Sequence, residues 1–111
     1  MQVNEIKQRF DQFEHCVEDA MQVCQQDSHV SQQLADSLSS LDREVHQAHD
    51  MICNAQQESA EMVDCIDRLE QMGDDVKRAC QSASDIDQKT QDAMLDVHRK
   101  ISDLKHQIQM H

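Results

Sequence analysis

A single heptad frame runs from Val3 to Ile108 without a change of phase. Its a positions hold Val3, Phe10, Val17, Cys24, Leu38, Val45, Ile52, Ile66, Cys80, Met94, Ile101 and Ile108. Its d positions hold Ile6, Phe13, Ala20, Leu34, Leu41, Ala48, Ala55, Met62, Leu69, Val76, Ala83, Val97 and Leu104. A repeat of about 3.5 residues keeps one apolar stripe facing a neighbouring helix turn after turn, so the pattern predicts an all-α protein of long amphipathic coiled-coil helices. Composition leaves little room for a sheet. The chain has no proline, tryptophan or tyrosine, a single glycine and an aromatic fraction of 2%, and so lacks many of the turn-forming and ring side chains that strands and hairpins draw on. Leu34, Leu38, Leu41, Val45, Ile52, Ile66 and Leu69 are the expected core, and an aspartate at Ile52 is expected to abolish the fold or the oligomer.

A second stripe widens the buried face. The g positions include Cys16, Val23, Val30, Met51, Cys65, Met72, Ala79, Ile86 and Ala93, whereas e is mostly charged or amidated. Apolar a, d and g together exceed what a two-stranded seam covers, so each helix is expected to touch two neighbours.

The places where the chain turns are less plainly marked. Gly73, followed by Asp74 and Asp75, reads as a helix C-cap and the N-cap of the next helix. Two weaker breaks are Gln26-Asp27-Ser28 and Ser37-Leu38-Ser39-Ser40, where Ser39 could cap a helix with Asp42 at its N3 position. Turns near Ser39 and Gly73 predict a three-helix bundle, and a lone turn at Gly73 an antiparallel helical hairpin. Because a turn ordinarily resets the heptad phase, the unbroken frame also supports a continuous rod of roughly 165 Å. No repeat beyond the heptad is evident, and residues 1–111 read as one domain. In each arrangement a second copy is expected to complete the core, making the protein a homodimer or higher homo-oligomer, with another helical protein as a further candidate partner.

The formal net charge of −12 argues against nucleic acid, which requires clustered Lys and Arg; the adjacent basic pairs are only Lys77-Arg78 and Arg99-Lys100. No apolar run approaches the length of a membrane span, and the N-terminal Met1–Glu5 has no signal-peptide character. The five cysteines are an odd number with no C-x-x-C pair, which fits reduced thiols used as small apolar residues better than a disulfide framework. The expected location is the cytoplasm.

Sequence spacing offers little catalytic chemistry. His46, His49 and Cys53 fall at i, i+3 and i+7 on one helical face and are competent zinc ligand types, but they sit at outer b and e positions, so no metal site is assigned to them. The chain has no E-x-x-H; Asp103-x-x-His106 is the nearest match and points outward, which removes a di-metal bundle site. There is no Gly-rich phosphate loop. Asp27, Ser31, Ser59, Asp87 and Thr90 are polar at a or d and read as turns or hydrated layers, or else as a polar site or register-setting device between helices. Met51, Met62, Met72 and Met94 read as core packing, while Met21 and Val63 hint at an apolar surface outside the stripe. No catalytic residue, cofactor or metal ligand is assigned, and the chain is not expected to be an enzyme.

Ala55-Gln56-Gln57-Glu58-Ser59-Ala60 resembles the Gln/Glu pairs flanked by small residues in chemoreceptor signalling helices. The chain has no counterpart of that family's hairpin tip, and no property is transferred from it. Small secreted helical-hairpin proteins share its length and helicity, but their Trp-x-Gly turn is absent. The expected function is therefore a non-enzymatic protein–protein interaction or assembly module of the adaptor or scaffold kind. Two alternatives are a thiol- or metal-responsive sensor using His46, His49 and Cys53, and a signalling coiled coil of receptor type.

Overall fold

A computed structural model describes residues 3–28, 30–82 and 86–109. Ala83, placed at d above, lies outside them, as do Met1 and Gln2. Four helices make up the described fold: α1 (Val3–Gln26), α2 (Gln32–Cys53), α3 (Ala60–Ser82) and α4 (Gln88–Gln109). They pack as a ring in the order α1–α2–α3–α4 and back to α1, with no close backbone approach between the two diagonal pairs. Each helix thus has two neighbours, as the a, d and g stripe required. The Cα extents are 43 × 23 × 18 Å, which excludes the continuous rod within this chain. Among the described residues no helix is long and apolar enough to cross a membrane.

The turns are not where the three-helix reading places them. Ser39 lies inside α2, and Gly73 is buried inside α3. A Cβ built on Gly73 would lie 3.0 Å from Ile101 Cγ2, so this glycine is a notch that lets α4 approach α3 closely rather than a helix stop. The first turn instead follows Gln26, at the other weaker break. Ser31 then caps α2, its hydroxyl accepting the Leu34 N–H at 3.1 Å, and Ser59 caps α3 by accepting the Met62 N–H at 3.2 Å. Each such cap is worth about 1 kcal/mol. Asp87 stands in the same place before α4, its carbonyl accepting the Gln91 N–H at 3.0 Å.

These three residues, 31, 59 and 87, are spaced by 28 residues in both intervals, which is four heptads. One helix together with its connection therefore occupies a whole number of heptads, and the frame passes through every turn in phase. The unbroken register that favoured a rod is equally the register of a bundle built from 28-residue units. The segment resembling chemoreceptor helices falls largely between α2 and α3, where residues 54–59 are not helical.

The core is filled from within one chain. Ile6, Phe10, Phe13, Val17, Leu34, Leu38, Leu41, Val45, Ile52, Met62, Val76, Met94, Val97, Ile101 and Leu104 are fully buried, with Ile66 and Leu69 almost so. All seven expected core residues are among them. Leu95, 37% exposed, is the one large hydrophobic classed as exposed among the described residues. Most apolar a and d residues thus find their partners in this chain's own helices, and a second copy is not needed to bury them.

The seams between neighbours differ in the side chains that line them. The α3/α4 seam is ionic, with Lys105 Nζ 2.8 Å from Glu70 and 3.4 Å from Asp67, and His98 Nε2 2.6 Å from Asp74. The α1/α2 seam carries the Glu14–His49 contact at 3.1 Å. The α1/α4 and α2/α3 seams carry apolar g residues, Cys16, Val23 and Ala93 on one and Met51, Cys65 and Met72 on the other, and the α2/α3 seam also holds the Arg68–Glu44 pair at 3.4 Å.

Candidate interaction surface

The residues singled out by sequence as possible metal ligands do not converge. His46 Nδ1 lies 2.8 Å from the Asp42 carbonyl of its own helix, and that contact, with the Asp42 charge after it, raises its pKa. His49 turns to the other side, toward Glu14 on α1. Cys53 Sγ lies 3.8 and 3.7 Å from the two nitrogens of the His49 ring, nearly equidistant, rather than in line with one lone pair. Among the described residues no group of three or more His, Cys, Asp or Glu side chains is placed to hold a metal ion.

Burial works against ionisation of the thiols. Burial is the leading cause that raises the pKa of Cys16, Cys24, Cys65 and Cys80, and also of exposed Cys53, where the Glu14 charge adds to it. The linkage sign follows. Below the ordinary thiol value both folded and unfolded chains carry the protons and stability is at its full level. As pH rises past that value the unfolded thiols ionise first, so stability falls until the folded thiols ionise too. The urea midpoint is expected to start dropping as pH rises past about 8.5, the ordinary thiol value, and to drop less when Cys16, Cys24, Cys65 and Cys80 are alanine. With a disulfide reagent at neutral pH, Cys53 should react first and Cys80 last.

The polar core residues resolve into turns and one inter-helix clasp. Asp27, only 6% exposed, follows the end of α1, and its Oδ2 accepts the Thr90 hydroxyl at 2.8 Å and the Asp87 N–H at 2.9 Å. An anionic acceptor at a helix N-terminus meets both an orphan N–H and the positive end of the helix dipole. Asp27 thereby caps α4 from 60 residues away and ties the end of α1 to the start of α4. Thr90→Val is expected to cost about 1–2 kcal/mol and Asp27→Ala about 2–3 kcal/mol, because charge-assisted bonds are at stake. In a double-mutant cycle the two losses should add to more than the loss in the double variant.

On the outside, a groove runs along the α2/α3 seam. Three depressions follow one another there. The first, about 210 Å³, is lined by Asp36, Ser37, Ser40, Met72 and Asp75. The next, about 260 Å³, shares Ser40 and Met72 and adds Arg43, Glu44 and Gln47. The third, about 370 Å³, shares Glu44 and Gln47 and is completed by Ala48, Met51, Glu61, Asp64, Cys65 and Arg68. From Ser37 to Met51 the groove follows α2 for about 20 Å. Met51, Cys65 and Met72 are half-buried along it and pack on the core from above. Arg68 crosses the seam to Glu44 at 3.4 Å.

Sequence reasoning assigned Met51 and Met72 to the core with Met62 and Met94. Only Met62 and Met94 are fully buried. The distinguishing signal was present in the frame, because Met62 is at d and Met94 at a, whereas Met51 and Met72 are both at g. Met21, the other expected apolar surface, lies in a separate depression with Cys24, Val30 and Ala35 between α1 and α2. Compared with known proteins, the chain matches no family model, no curated protein and no solved structure.

Proposed function

We propose that the chain is a non-enzymatic protein–protein interaction module of the adaptor or scaffold kind, working from the outside of a bundle that one chain completes. The observation that carries this reading is the division of the apolar stripe. Most apolar a and d residues are spent inside the core, whereas of the apolar g residues only Ala79 and Ile86 are buried, and Met51, Cys65 and Met72 remain half-exposed along the α2/α3 seam. Methionine suits an adaptable contact surface, since its unbranched side chain repacks against different partners. The charged faces elsewhere would set partner choice and approach rate more than affinity. Self-association, which the heptad pattern predicts, would use the same outer surface.

The test is a selection of randomised peptides displayed against the folded full-length chain. The expected result is a set of binders that compete with one another for one surface and that bind the native but not the urea-unfolded protein. Failure to enrich any peptide on the native chain above the unfolded control would contradict an interaction module.

A further inference from the structure

Resting on that reading, we infer that the α2/α3 groove receives a basic amphipathic helix from a partner protein, laid along the seam as a fifth helix. Shape, floor and charge each contribute. The groove is continuous over about four turns of helix, long enough for several i, i+3, i+4 and i+7 anchors of the kind that helix-in-groove recognition uses. Its floor, Met51, Cys65 and Met72, is apolar and half-open, so a row of Leu or Ile side chains can cover it without displacing the core beneath.

Charge selects the partner. The three depressions together present five carboxylates against two guanidiniums. Arg68 is already drawn to Glu44. At the widest part of the groove Glu61 and Asp64 stand on the rim beside Cys65, placed to meet Lys or Arg side chains flanking the apolar row of an incoming helix. The chain's net charge of −12 favours the same partner at long range, because the summed field accelerates encounter with a cation. A helix with an acidic polar face would meet a net excess of carboxylates, at both ends of the groove.

Three synthetic helical peptides of about sixteen residues, sharing one Leu/Ile face and differing only in having Lys, Gln or Glu on the polar face, provide the probe. Each is titrated into the intact chain at low and at high salt. The Lys peptide is expected to bind at least about tenfold more tightly than the Gln peptide at low salt, and the gap should narrow as salt rises. Glu61→Gln with Asp64→Asn should reduce that advantage and leave Gln-peptide binding unchanged. Met51→Gln with Met72→Gln should abolish binding of both, with the thermal melt showing that the variant is folded.

If the Gln or Glu peptide binds as well as the Lys peptide, the basic partner is overturned and the interaction module stands. If the peptides bind regardless of Met51 and Met72, or none binds while the displayed-peptide selection succeeds, the groove is overturned as the docking site. Failure of both experiments removes the module reading itself.

Discussion

Replacing Leu41 with aspartate is expected to leave no folded bundle at room temperature. Leu41 is fully buried near the middle of α2. The change removes a leucine-sized contact worth about 2–5 kcal/mol and places a carboxylate where no cation can reach it, at a further cost of several kcal/mol. The sum is comparable to the whole stability of a domain this size, about 5–15 kcal/mol. Far-ultraviolet circular dichroism at 25 °C should show the loss of most helix.

The same substitution at Ile52 should do less. Ile52 is equally buried, but α2 ends one residue later, at Cys53. Its last turn can unwind and carry the charge to solvent, so the variant should remain folded and melt earlier. The heptad frame alone makes Ile52 as critical as any a position. The helix end just beyond it is what changes the expectation.

Gly73→Leu should be the next most damaging change. Position 73 is helical and buried, and even a single Cβ would stand 3.0 Å from Ile101 Cγ2. A leucine there forces α3 and α4 apart and strains the ionic seam beside the notch, where Asp74 pairs with His98. Overpacking of this kind costs about 1–3 kcal/mol or more. Gly73→Ala should be close to neutral, since about 1 kcal/mol gained from helix propensity offsets the tight contact. Combining Gly73→Leu with Ile101→Ala moves volume across the seam, and the double variant should be more stable than the sum of the single losses predicts. If Gly73 were a turn, as its sequence context suggests, Ile101→Ala would give no such rescue; chemical denaturation of the four proteins decides between them.

These two cases show what could and could not be read from sequence. Helicity, the buried a and d residues and the two-neighbour packing were legible, because a heptad stripe records which side of a helix faces its neighbours. The number of helices was not. A turn announces itself by a shift of phase or by strong stop residues, and here a 28-residue unit cancels the shift while the single glycine serves helix packing. The informative residues were Ser31, Ser59 and Asp87, small polar side chains at a positions spaced by four heptads, and each begins a helix. Asp27 and Thr90 were visible as polar anomalies at d, but their pairing required the ring closure of α1 on α4. The groove was hardest to see, since whether a g residue is covered depends on how closely two neighbouring helices approach, and that distance is set by other residues.

Small-angle X-ray scattering on an absolute intensity scale tests most directly whether one chain folds back on itself through three in-phase turns and completes its own core. The bundle predicts a maximum dimension somewhat above the 43 Å Cα extent, a radius of gyration slightly above the Cα value of 13.9 Å, and, at high dilution, the mass of one 12.8 kDa chain. A maximum dimension near 165 Å, the length of roughly 111 residues in one helix, or a mass that stays multimeric until the protein unfolds, would contradict it.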